Sequence, residues 1–108
     1  MGIYREVGAR LGEANTLLGL GSLQDEPQEA MAYFLEAQEI FRTIGNRYSQ
    51  GRSLLVFIVQ AQAQLGDIEG VQRSLQEATT IGEEIGLELL GQVAQQIRDQ
   101  LGLDPAAP

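Results

Sequence analysis

The feature that most limits what this chain can become is a phrase it spells twice. Residues 3–14 read IYREVGARLGEA, and residues 40–51, lying 37 positions later, read IFRTIGNRYSQG. Over residues 3–18 and 40–55 the two copies agree at Ile3/Ile40, Arg5/Arg42, Gly8/Gly45, Arg10/Arg47, Leu17/Leu54 and Leu18/Leu55. Tyr4/Phe41, Val7/Ile44 and Thr16/Ser53 are alike in kind. A third echo, TIGEEIGLELLG at 80–91, sets Ile81, Ile85 and Gly86 41 residues after Ile40, Ile44 and Gly45. A period of about 40 residues marks a supersecondary unit that buries its apolar face by stacking on a copy of itself. The phrase reads as the end of one helix, a tight turn at the glycine and the start of the next helix.

Between the turns the apolar period is helical. From Asp25 the chain runs DEPQEAMAYFLEAQEIFRTIG, and Ala30, Phe34, Ala37, Phe41 and Ile44 advance by four and three, one stripe along a helix. Asp25 is expected as its N-cap, with Gln28 reaching back, Pro27 in the first turn and Gly45 as the left-handed end. Shifted by 41, Asp67 caps a second such helix, whose stripe is Val71, Leu75, Ala78, Gly82 and Ile85 before Gly86. Further helices are expected over 10–23, 48–65 and 87–101. The run LLVFIV at 54–59 is apolar on every side, which suits a helix covered on more than one face. Its β-branched residues make a buried strand the rival, but the run continues into QAQAQL without a turn signal and is too long for a typical strand. The last helix sets Leu90, Val93, Ile97 and Leu101 against a wetter side and reads as a lid.

The expected fold is therefore all-α, built of stacked antiparallel helix hairpins with a C-terminal capping helix. One domain spans 1–103: a remnant of a preceding repeat at 1–8, unit one at 10–45, unit two at 48–86 and the capping helix at 87–101. A flexible tail follows at 104–108. No membrane span or secretory signal is expected, which makes the cytoplasm the default compartment. A net charge of −8, with seven arginines, no lysine and fifteen acids, would repel phosphate backbones and anionic lipid heads, so neither nucleic acid nor membrane is an expected partner.

These residues resemble the tetratricopeptide repeat family in its longer-period bacterial form. The likeness rests on Leu20-Gly21 in the first helix of unit one, on the small, large, small triplet Ala30, Phe34 and Ala37 in its second, and on the turn Leu65-Gly66-Asp67-Ile68. In unit two Val71, Leu75 and Ala78 stand for the triplet, and Ile58-Val59 stand where Leu-Gly is usual. The resemblance implies an α-solenoid that acts as a protein-protein interaction scaffold, part of a larger adaptor or signalling protein. It further implies a groove lined by the first helix of each unit: Asn15, Leu18 and Ser22, then Ser53, Val56, Gln60, Ala63 and Gln64. That amide-rich, weakly apolar lining lacks a basic clamp and suits a peptide or partner segment held by Gln and Asn hydrogen bonds. Pairing of the bare first stacking face into a homodimer is the alternative. A small-molecule sensor, with an enclosed pocket beside Gly82, is a third reading.

Catalysis is not expected, nor is a cofactor or a metal. Histidine, cysteine and lysine are all absent, which removes the usual general base, the thiol nucleophile, the Schiff-base amine and Cys/His zinc sites. Glu83, Glu84 and Glu88, like Glu36 and Glu39, read as solvated helix faces. The glycines form no phosphate loop. Tyr4, Tyr33 and Tyr48 read as core or boundary packing, and Arg10 and Arg47 as partners of nearby acids or carbonyls at helix ends.

Overall fold

Four glycines with left-handed backbones punctuate the chain: Gly45 (φ 73°), Gly66 (φ 75°), Gly86 (φ 72°) and Gly102 (φ 69°). Each closes a helix with the same pair of bonds, in which the residue after the glycine donates to a carbonyl five positions back. Asn46 N to Phe41 O (2.9 Å), Asp67 N to Gln62 O (2.9 Å), Leu87 N to Gly82 O (2.8 Å) and Leu103 N to Arg98 O (2.8 Å) are the four instances. In its second and third copies the repeat phrase is thus a C-terminal capping turn, and glycine is there because a side chain is strained at positive φ.

A computed structural model of the chain describes residues 2–103, with side chains described from Glu6 onward. The elements are α1 (Gly2–Ser22), α2 (Pro27–Thr43), α3 (Arg47–Ser53), a π-helical turn (Leu54–Ile58), α4 (Val59–Gln64), α5 (Ile68–Ile85) and α6 (Glu88–Leu101). Among the described residues there is no strand, so LLVFIV is helical as expected. The expected tail at 104–108 lies outside the described residues.

Two expectations need correcting. The first is the break between residues 8 and 10: α1 runs unbroken through Gly8. In the second copy of the phrase Asn46 follows the glycine, and its side chain accepts from Ser49 N (3.0 Å) to cap α3. The first copy has Ala9 in that place, a residue with no acceptor and the highest helix propensity. The second concerns the start of α2, where Glu26, not Asp25, is the N-cap, and no side chain accepts there. Pro27 forces the residue before it into extended backbone (Glu26 φ −93°, ψ 126°), so the helix begins at the proline and leaves Asp25 one position too early. Asp67 does cap α5, accepting from Gly70 N at 2.9 Å.

Helices pack in chain order: α1 on α2, α2 on the continuous rod α3–π–α4, the rod on α5, and α5 on α6, which also reaches the π turn. Extents of 48 × 35 × 18 Å make a slab about two helices thick. Within it Ala30, Phe34, Ala37 and Phe41 are buried on α2, and Val71, Leu75, Ala78 and Ile81 on α5. Small residues sit against large ones. A Cβ added at Gly21 would lie 2.5 Å from the Phe34 ring, and one at Gly51 2.9 Å from Leu90.

In the π turn Val59 N–H donates to the carbonyl of Leu54, five residues back. This extra residue in one turn changes which side chains face inward. Leu54, Leu55, Ile58 and Val59 are all buried, serving α2 on one side and α5 on the other, while Val56 is 41% exposed and Phe57 half-buried. Leu65, the residue that follows the rod, is exposed.

Candidate functional site

The π turn positions the clearest groove. Val56 and Phe57 come from that turn, Gln60, Ala61 and Gln64 from α4, Gly21 and Ser22 from the end of α1, Gln24 from the turn after it, and Ala30 and Phe34 from α2. Together they enclose about 340 Å³. Phe34 and Phe57 form its aromatic wall, with ring centroids 5.3 Å apart and planes tilted by 48°, a geometry favourable to aromatic pairs. Gln60 and Gln64, four apart on α4, are exposed on one face. Ser22 Oγ donates to Leu18 O (2.9 Å) and Gln24 Nε2 to Leu20 O (3.0 Å), which orders the α1 rim. No ionisable side chain is in the lining.

Of the eight residues that the family resemblance assigns to a groove, Ser22, Val56, Gln60 and Gln64 meet here. Asn15 is exposed on α1 and Ala63 half-buried on α4, both outside this lining. Leu18 (4% exposed) and Ser53 (0%) belong to the interior, a correction to the expected lining. The cause for Ser53 is its place before the π turn, on the rod face that meets α2. There its hydroxyl donates to Gln38 Oε1 (2.5 Å), and Gln38 Nε2 donates to Gln50 O (3.1 Å).

That buried network continues outward. Arg47 Nη1 donates to Gln50 Oε1 (3.0 Å), and Arg47 Nη2 pairs with Glu84 (2.6 Å). Arg47 therefore ties α3 to α5, and Arg10 pairs with Glu13 (2.5 Å) along α1. Gln38, Gln50 and Phe57 were given no role by sequence reasoning. For the glutamines the available signal was position: Gln38 follows Ala37 on the buried side of α2, and Gln50 precedes the small residue Gly51.

Beside Gly82 a second groove of about 430 Å³ runs between α5 and α6, lined by Thr79, Glu83, Leu87, Glu88, Gly91, Gln92, Gln95 and Arg98. Gly82 itself is tightly packed, since an added Cβ would lie 2.7 Å from the Leu87 carbonyl. Among the described residues no group of three or more acids is placed to hold a metal ion, and no helix is long and apolar enough to cross a membrane. Compared with models of known protein families, with curated proteins and with solved structures, the chain matches none.

Proposed function

We propose that the chain is a protein-interaction module whose helix hairpins stack in the manner of tetratricopeptide repeats, and that it acts as a cytoplasmic scaffold, not as a catalyst. The observation that carries this reading is the uncharged groove: four residues that the family resemblance assigns to a groove converge on one aromatic-walled cleft. Chain-order packing and the recurring glycine turns support the stacking. In a chain of net charge −8, a lining without an ionised group favours a neutral segment over a basic or acidic one. The occupant is an extended or helical peptide that sets an apolar side chain against Phe34, Phe57 and Val56 and shares amide hydrogen bonds with Gln60 and Gln64. The groove lies near the low end of the range of about 300–1,000 Å³ for binding pockets, so the affinity is modest and the contact transient.

The test is selection of peptides from a random library on the full chain, followed by amide NMR mapping. Binding should perturb Ser22, Val56, Gln60 and Gln64. The double variant Gln60→Ala/Gln64→Ala should weaken it severalfold while the unfolding free energy stays within about 0.5 kcal/mol of the parent's. Perturbations confined to another face, or binding that the double variant leaves intact, would reject the groove.

A second reading, homo-oligomerisation through the first hairpin, is favoured by the exposed apolar side chains of α1 and the turn after it, Val7, Leu20 and Leu23, the last 77% exposed. Sedimentation over a range of concentrations separates the two, since a strict monomer leaves only capture of a different chain.

A further inference from the structure

Arg98 is the one charged side chain buried among the described residues, 7% exposed, on the inward stripe Leu90, Ala94, Arg98 of α6. Its guanidinium is nearly unanswered. Nη1 reaches Gln95 Oε1 at 3.5 Å, buried Nε has no acceptor, and no ion pair among the described residues includes it. A buried charge without a partner is strongly disfavoured. The side chain lines the groove between α5 and α6, where Thr79, Gln92 and Gln95 add hydrogen-bonding groups and Gly82 and Gly91 leave the wall as bare backbone.

We propose that this groove is a receptor for a single carboxylate, which takes the donor fork of Arg98 as the missing half of an ion pair. A planar carboxylate matches the guanidinium fork with two parallel bonds. Glu83 and Glu88 line the same groove and oppose a multiply charged anion such as phosphate more strongly than a single carboxylate, which favours a ligand of one negative charge. The carboxylate comes from a small free acid or from a lone acidic side chain of another polypeptide. The chemistry at Arg98 is the same for both.

The test uses the full chain, titrated with sodium acetate, with sodium chloride at matched ionic strength, and with a blocked peptide carrying one central glutamate beside its glutamine counterpart. Acetate or the glutamate peptide should shift the amides of Gly91 and Gln95 and the Nε–H of Arg98 saturably, and should raise the melting temperature; chloride and the glutamine peptide should do neither. Tighter binding of the peptide than of acetate assigns the ligand to a partner chain, and equal binding assigns it to a free acid. In Arg98→Met the affinity should fall at least about tenfold, the worth of a hydrogen bond to a charged group. That variant also loses an unpaired buried charge, so its unliganded stability should equal or exceed the parent's. Gln92→Ala, at an exposed position that leaves the fold alone, should weaken binding severalfold. A response shared by chloride, a response undiminished in both variants, or no saturable response to either carboxylate would overturn the proposal.

Discussion

The phrase at 3–18 and its copy at 40–55 fold differently. In the second, α2 stops at Gly45, Asn46 caps a new helix and the chain reverses; in the first, α1 passes through Gly8 as though no signal were there. A glycine permits a left-handed turn, and the residue after it decides whether a new helix can begin. The copies differ again further on. Leu54 to Ile58 form a π turn packed between α2 and α5, whereas their counterparts from Leu17 to Gly21 stay α-helical and pack on α2 from one side. A helix with neighbours on two sides gains from widening one turn so that four apolar residues point inward; a helix with one neighbour does not.

The largest effect should come from the residue that joins the two regions. Phe34 meets the Gly21 end of α1 and the Phe57 ring of the rod. Phe34→Ala should cost about 3–5 kcal/mol in chemical denaturation, and amide exchange should rise both in the last turn of α1 and in the π turn. Faster exchange in only one of them would mean that the regions are not coupled through this ring.

Next comes one substitution made at matched positions. Leu54 is 4% exposed between two helices, while Leu17 is half-buried. Leu54→Ala should cost about 2–5 kcal/mol and Leu17→Ala about 1 kcal/mol, because only the first leaves a closed cavity. Equal losses would show that α1 is covered as fully as the rod.

What could be read in advance follows from this contrast. Helix stripes, glycine turns and the Asp67 cap depend on spacing within a few residues, so Ala30, Phe34, Ala37 and Phe41, and likewise Val71, Leu75 and Ala78, could be placed on one inward face from sequence. The π turn depends on neighbours from α2 and α5, which no local pattern encodes. Missing it sent Ser53 to the groove when it belongs to the Gln38 network. It also hid Phe57, whose ring completes the cleft that Val56, Gln60 and Gln64 were expected to line. Arg98 was hidden for a similar reason: only the packing of α6 on α5 makes it a buried charge.

Asn46→Ala sharpens the comparison by giving the second copy the alanine of the first. Loss of the Ser49 bond should cost about 1 kcal/mol, measured as a lower denaturation midpoint with an unchanged slope. Helical amide connectivities running through residues 45–47 would mean that the cap alone holds the two copies apart. Their continued absence would assign the turn to the packing of α2 on α3.

The subtlest test applies one substitution to two glycines that the repeat makes equivalent. At Gly45 (φ 73°) a side chain is strained by the left-handed backbone, although an added Cβ would touch nothing within 4 Å. Gly8 has the same open space, but its backbone is that of a helix interior. Gly45→Ala should therefore destabilise by about 1 kcal/mol, while Gly8→Ala should stabilise by about 0.5–1 kcal/mol, chiefly by lowering the entropy of the unfolded chain. Space is equal at the two sites, so opposite signs in paired denaturation curves would trace the difference to φ alone. A loss at Gly8 as large as that at Gly45 would place a turn in α1 and return the first copy of the phrase to the role of the second.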